Sequence, residues 1–312
     1  MGQGGSLRAS ESALEFSYEV KPKQFAMAVL PAPVEVAQLK RLRFRVKTDH
    51  DTSVALLLSE RKPGGGNYLA IFSCAAGVWQ PIELTPADFA ASDGPNDPVD
   101  SDGKLDLDQI EGIGLVDLAE FFASQLDDPQ VPVAIRRPMG AHKLLLSNFE
   151  MLSGGDVPPR PPLVIDRFDR GFLEWVTLGG MKLKLAAPDN PLKTDALQAT
   201  YEHMPGPIGV MVHRLSHLDL SQATGLAFDI ASRTDATIVI ALELKDGRKF
   251  HQTIYPPPAG ESFHVSLKFA DFEGTGKLDA SKLKSLTMTD VSGVEGNTGT
   301  NTLWIARVEG VQ

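Results

Sequence analysis

The chain has 312 residues, 30 basic against 40 acidic side chains, a formal charge of −10 and one cysteine, Cys74. At roughly 150 residues per domain this length predicts about two domains, and a 42% hydrophobic fraction is ample for folded cores. The acidic balance argues against a nucleic-acid binder, which needs a basic face, and a lone cysteine excludes an internal disulfide or a multi-cysteine metal site. The start, Met1-Gly2-Gln3-Gly4-Gly5-Ser6, lacks the basic segment and apolar run of a secretory signal. The expectation is therefore a cytoplasmic protein, unless this start is a processed boundary. No apolar run approaches the ~18 residues that span a bilayer, so no membrane span is expected. Leu42, Phe44 and Val46 alternate with Arg43, Arg45 and Lys47, the period of a half-buried strand. Val54 to Leu58 is an apolar run of strand length, and Gly64-Gly65-Gly66 predicts the turn after it. Pro86 to Ala91 and Asp117 to Gln125 read as short helices, and Thr237 to Leu244 as a strand buried on both faces.

A pattern recurs along the chain. Leu42-Arg43-Phe44-Arg45-Val46 returns as Leu226-Ala227-Phe228-Asp229-Ile230 at a shift of 184, and Val54, Leu56 and Leu58 return as Ile238, Ile240 and Leu242. Tyr18-Glu19 matches Tyr201-Glu202 at a shift of 183, and Asp117 matches Asp290 at 173. Leu144, Leu146 and Glu150 match Leu303, Ile305 and Glu309 at 159. Between the copies lies Gly154-Gly155-Asp156-Val157-Pro158-Pro159-Arg160-Pro161-Pro162, a semi-rigid linker because proline fixes φ. The division is thus residues 1–153, linker 154–162, and residues 163–312. Copy one begins at Ser6-Leu7-Arg8 and has no counterpart of Asp166 to Trp175, so its opening strand is missing from the pattern. Short strands separated by Gly, Pro, Asp and Asn turns predict an all-β chain of two tandem antiparallel β-sandwiches of jelly-roll type.

The second copy opens with Leu163-Val164-Ile165-Asp166-Arg167-Phe168-Asp169 and Trp175, continues through Ala196 to Tyr201 and Leu226 to Ile230, and closes with Leu303 to Glu309. This layout resembles the galactose-binding-like jelly rolls, in particular carbohydrate-binding modules of the family-eleven type and complex I intermediate-associated domains. The resemblance implies a non-catalytic protein that binds glycans or serves as an assembly factor. It also implies a structural calcium near the first and last strands, for which Asp166, Asp169 and Glu309 are the carboxylate candidates in copy two.

Carbohydrate recognition through the open face of a jelly roll uses exposed rings. If Phe250 and Ile254 face the core, His251 and Tyr255 face out, and Trp304, between Leu303 and Ile305, is expected to join them. Copy one is expected to place Tyr68 and Phe72 at the matching positions, at a shift of 183. Copy one also carries longer connections, from Phe89 to Ile110 and from Asp117 to Leu144, and the second holds Phe121, Phe122, Arg136 and Arg137 as candidate partner contacts. The alternative reading is therefore a protein–protein interaction module. The expected partner is a polysaccharide or a protein, with no nucleic acid.

Other motifs are incomplete. The loop Asp97 to Asp106 resembles part of an EF-hand but has Pro98 and Gln109 where its first and twelfth positions need acids. His213 and His217 have zinc-like spacing only on a helix, and this segment lies between strands. Cys74 sits in a strand and reads as a buried structural thiol. No Gly-x-Ser-x-Gly elbow or other catalytic motif is present, so no catalytic residue is predicted.

Overall fold

The computed structural model describes residues 5–10, 13–22, 26–61, 63–92, 97–120, 139–157, 161–178, 180–203 and 209–312. These divide into two compact units, before and after the step from residue 158 to 159. The first unit contains β1 (Gly5–Ala9), β2 (Leu14–Val20), β3 (Ala26–Pro31), β4 (Arg41–Thr48), β5 (Thr52–Glu60), β6 (Asn67–Cys74), β7 (Gln80–Leu84), β8 (Ala90–Ala91), β9 (Ile110–Asp117) and β10 (Gly140–Leu152). The second contains β11 (Val164–Asp166), β12 (Trp175–Leu178), β13 (Lys182–Ala186), β14 (Ala196–His203), β15 (Gly209–Arg214), β16 (Gly225–Ser232), β17 (Ile238–Leu244), β18 (Lys249–Ile254), β19 (Phe263–Lys268), β20 (Glu273–Gly274), β21 (Leu283–Asp290) and β22 (Gly299–Val311).

Each unit is a sandwich of two antiparallel sheets. In the first, one sheet runs β1-β2-β10-β4-β7 and the other β3-β9-β5-β6-β8. In the second, one runs β13-β14-β22-β16-β19 and the other β12-β15-β21-β17-β18-β20, with β11 on β22. The alternation read at Leu42, Phe44 and Val46 is real: all three are buried while Arg43 and Arg45 are exposed. Phe44 meets Phe72 across the two sheets of the first unit, with ring centroids 5.7 Å apart. The second core gathers Trp175, Phe228, Ile240, Phe250, Leu286 and Ile305 from both sheets. Removing such side chains from water is the main force that holds a sandwich together.

The strand buried on both faces is β16, where every residue is buried; β17 alternates buried and half-buried residues. The outer side of β16 is covered by Ala186, Leu192, Ala196 and Ala306, with Trp304 packed against them. Pro86 to Asp88 form one 3-10 turn rather than a longer helix, because the chain enters β8 at Ala90. Asp117 ends β9, and residues 121–125 of the expected second helix lie outside the described residues. Prolines 158 and 159 of the expected linker also lie outside them.

The two strand orders are the same except for β11 and β12. β12 extends the second unit beyond β15, and β11 pairs with β22 at Val308 and Glu309. Ile165 and Trp175 of these strands, with Phe168 and Phe172 from the segment between them, enter the core. The matching places in the first unit are the outer edge of β3 and the side of β10 at Phe149. Among the described residues no strand pairs there. A cavity of about 450 Å³ opens instead, walled by Leu14, Phe16, Ala28, Leu30, Leu56 and Phe149 among others.

Candidate functional site

Three polar constellations stand out once the sheets are in place. The first lies on the outer face of the sheet containing β16 and β22. Phe228 and Ile230 point into the core, so Asp229 between them must point out. Its carboxylate is nevertheless buried, because neighbours cover it. Arg307 donates to Asp229 Oδ2 through Nε and also pairs through Nη2. His264, opposite Asp229 on β19, lies 2.8 Å from Oδ1 through Nδ1. The two partners stay accessible, with side chains 63% and 68% exposed, while Asp229 is only 4% exposed. Trp304 stands on the same face of β22, next to Ala231 on β16 and Gln198 on β14. It is half-buried, packed against alanines below it.

A bulge in β22 supplies Arg307. Register shifts between Ala306 and Glu309, and Arg307 adopts φ 53°, a left-handed conformation that costs a non-glycine residue about 1–2 kcal/mol. The ion pair with Asp229 holds it there. The same bulge in β10 of the first unit carries Asn148 at φ 51°, a residue type that enters this region with less penalty.

The second constellation closes one end of each sandwich. In the second unit the Tyr201 hydroxyl donates to Asp290 Oδ2, and His203 Nε2 is 2.8 Å from the same oxygen. Ser292 donates to Oδ1 from its backbone N–H at 2.8 Å and its hydroxyl at 2.5 Å. Asn301 Nδ2 donates to the Tyr201 hydroxyl at 3.0 Å and to Ser232 at 3.1 Å. Burial, then the carboxylate's charge and hydrogen bond, push the Tyr201 phenol well above its ordinary value. The first unit has Tyr18 donating to Asp117 in the corresponding place, and Thr52 donating to Asp117 Oδ1 at 2.8 Å.

The third lies beside Asp117. His50 Nδ1 and His142 Nδ1 are 2.8 and 3.0 Å from the same oxygen of Asp49, and the two imidazole rings are 3.9 Å apart. Burial opposes a charge on His50, but the flanking Asp117 and Asp49 outweigh it and raise its pKa. Asp117 is itself desolvated, yet His50, Tyr18 and the Ala119 N–H keep it below the usual carboxylate range.

The residues singled out from sequence fare differently. His251 and Tyr255 do face outward, on the sheet containing β18. Trp304 does not join them, because it lies on the outer face of the opposite sheet. Tyr68 and Phe72 are buried and cannot offer rings to a ligand. The reason is a register slip of one. Val54 pairs with Phe72 and Ile238 with Ile254, so the true shift between β6 and β18 is 182, and Phe72 matches inward Ile254 rather than outward Tyr255.

Among the described residues Asp166, Asp169 and Glu309 do not bring three carboxylate oxygens within 4.8 Å of one another, whereas Asp49, His50 and His142 bring three ligand atoms that close. Both oxygens of Asp166 are engaged, one by the Trp175 indole N–H at 2.9 Å and the other by the Phe168 N–H at 2.7 Å. Phe121, Phe122, Arg136 and Arg137 lie outside the described residues. In the Asp97 to Asp106 loop, Asp100 accepts from Tyr68 and Asp97 from Asn67 and Ser92, so these carboxylates anchor the loop. His213 is a core residue packed edge-on against Trp175, and Cys74 is buried, which pushes its thiol pKa up.

No protein-family model matches the sequence, and no curated protein does. Solved structures similar in strand arrangement include the family 11 carbohydrate-binding module of the cellulosomal cellulase Lic26A-Cel5E of Clostridium thermocellum. It is 18% identical over 47% of this chain and 92% of that chain, with a TM-score of 0.37. The family 30 module of a cellulosomal cellulase of the same organism is 16% identical over 48% and 92%, with a TM-score of 0.34. An exo-β-agarase is 13% identical over 47% of this chain and 24% of its own, with a TM-score of 0.39.

Proposed function

We propose that the chain is a non-catalytic carbohydrate-binding protein whose sugar-contacting surface is the outer face of the β14–β22–β16–β19 sheet. The observation that carries this reading is the placement of half-buried Trp304 and the accessible Arg307 and His264, both held by Asp229, on the outer side of one sheet. A neutral sugar presents an apolar C–H face and a rim of hydroxyls. An indole stacks on the first, and fixed planar donors and acceptors meet the second. Asp229 fixes both neighbours: it holds Arg307 by Nε and Nη2 and His264 by Nδ1, which turns Arg307 Nη1 and His264 Nε2 outward. Side chains held in place before binding lose less entropy when the ligand arrives. Gln198, opposite Trp304, adds an amide to the same row.

Calorimetric titration of the full chain with a panel of soluble neutral oligosaccharides tests this. The expected result is binding of at least one member, weakened at least about tenfold by Trp304→Ala and by Arg307→Ala, in line with the 1.4 kcal/mol scale of a lost contact. Binding that both variants retain and Tyr255→Ala abolishes would move the site to the opposite sheet. No binding by the folded wild type would remove the reading.

A further inference from the structure

We propose that Asp49, His50 and His142 form a binding site for a divalent transition-metal ion of the zinc class, built into the first unit and separate from the sugar-binding face. Asp49 and His50 lie in the turn between β4 and β5, and His142 lies on β10 beside it. One ligand atom from each falls within 4.8 Å of the others. Asp49 Oδ1 is 2.8 Å from His50 Nδ1 and 3.0 Å from His142 Nδ1. A tetrahedral zinc ion with bonds of about 2.0–2.2 Å holds its ligand atoms about 3.3–3.5 Å apart. The two Asp49–histidine separations therefore need to open by only a few tenths of an ångström. Two imidazoles and a carboxylate are a ligand set that zinc and its first-row neighbours accept.

The surroundings fit a metal site as well as the ligands do. His50 Nε2 is buried and lies 3.0 Å from Asp117 Oδ2, off the line of a good hydrogen bond. Asp49 faces Nδ1 at 2.8 Å, so a metal ion at the point shared with Asp49 and His142 would take the place of the proton on Nδ1 and leave the Nε2 proton facing Asp117. A histidine that binds metal through one nitrogen and faces a carboxylate with the other is the usual outer shell of a zinc site. Asp117 is fixed in turn by Tyr18, Thr52 and the Ala119 N–H. His50 and His142 are 10% and 15% exposed and Asp49 is 44% exposed, so an ion can enter on the Asp49 side and keep a water there.

The second unit shows that the turn does not require these side chains. There the Ser232 hydroxyl donates to Thr234 O at 2.6 Å, as Thr48 does to His50 O at 2.8 Å. Arg233 N donates to Thr302 O at 2.9 Å, as Asp49 N does to Lys143 O at 3.3 Å. The backbone is the same, yet Arg233, Thr234 and Asn301 stand where the first unit has Asp49, His50 and His142. The ligand-type residues are thus an addition to the turn rather than a condition of it.

The test uses the full chain, freed of any affinity tag, dialysed against chelator and titrated with CoCl2 by visible absorbance and with ZnCl2 by calorimetry. The expected result is one Co²⁺ per chain, with the intense visible bands of a low-coordinate site, displaced by Zn²⁺. His142→Asn installs the residue found at that place in the second unit and is expected to keep the fold. It should weaken binding by roughly 10–100-fold or more, since even outer-shell changes have effects of that size. His50→Ala should do the same, and His251→Ala should not. A folded wild type that takes up neither ion, or binding that His142→Asn and His50→Ala leave unchanged, would overturn the proposal.

Discussion

Tyr201 donates its phenolic hydrogen to Asp290 at the closed end of the second sandwich, and neither residue reaches solvent appreciably. Burial and the neighbouring carboxylate hold the phenol well above its ordinary value of about 10. Tyr18 beside Asp117 and Tyr68 beside Asp100 are raised for the same reasons, burial first. The sign follows from linkage: these groups are raised in the folded state, so their contribution is complete below pH ~10 and falls as pH rises above it, where only the unfolded chain loses the protons. The expected outcome is alkaline unfolding above pH ~10, with tyrosinate absorbance appearing in one cooperative step together with loss of the sheet signal. A Tyr255→Phe background removes the exposed ring from the signal. Tyrosinate that forms smoothly around pH 10 in a chain that stays folded would contradict the buried pairs.

Trp175 and Asp166 argue a second case. The indole is fully buried in the core of the second unit, and its N–H reaches Asp166 at 2.9 Å. Trp175→Ala should cost about 3–5 kcal/mol, the range for truncating a large buried ring. Asp166→Ala leaves the indole and the Phe168 N–H without their acceptor and should cost about 1–3 kcal/mol. Because protein donors engage both carboxylate oxygens, a calcium chelator should leave the melting temperature of the wild type unchanged. A chelator effect as large as that of Asp166→Ala would return Asp166 to the role of a calcium ligand.

Period-two alternation told which side chains of β4 face the core, because only one register buries Leu42, Phe44 and Val46 together. It could not align β6 with β18. Tyr68 to Cys74 is apolar at almost every position, so both registers satisfy the pattern, and a slip of one residue inverted the reading of Tyr68 and Phe72. The sheet that each strand joins is set by long-range pairing, so Trp304 and Tyr255 could be read as outward-facing without any sign that they face opposite ways. Asp229 did leave a signal. A lone acid inside Leu226 to Ala231, an otherwise apolar strand, needs a charged partner. The Asp49–His50–His142 group left none, since His142 is 92 residues away from His50.

Glu60 ties the longer connection of the first unit to its sheet. Its carboxylate is buried and accepts the Gly66 N–H at 2.8 Å and the Asp106 N–H at 2.6 Å, one on each oxygen. Glu60→Ala orphans both donors and should destabilise the unit by about 2–4 kcal/mol, whereas Glu60→Gln keeps an acceptor for one of them and should cost about half as much. Hydrogen exchange at Gly66 and Asp106 should accelerate in the alanine variant ahead of global unfolding. Equal protection at both amides in wild type and variant would show that contacts such as Tyr68–Asp100 and Asn67–Asp97 hold the loop without Glu60.

The apolar cavity of the first unit makes the opposite kind of prediction, a substitution that stabilises. Its walls include Ala28 on β3 and Leu56 on β5, and its volume of about 450 Å³ is far more than a leucine side chain needs. Ala28→Leu adds three carbons against apolar walls. At about 0.8 kcal/mol per buried methylene the upper limit is about 2.4 kcal/mol, and ordering the new side chain reduces it by roughly 0.5–1. A gain of about 1–2 kcal/mol in denaturant unfolding is expected. Leu56→Ala enlarges the same space and should cost about 2–5 kcal/mol. An apolar fluorescent dye should bind the wild type, and Ala28→Leu should weaken that binding while stability rises. If Ala28→Leu destabilises the chain instead, the walls have closed on one another and the space between β3 and Phe149 is filled.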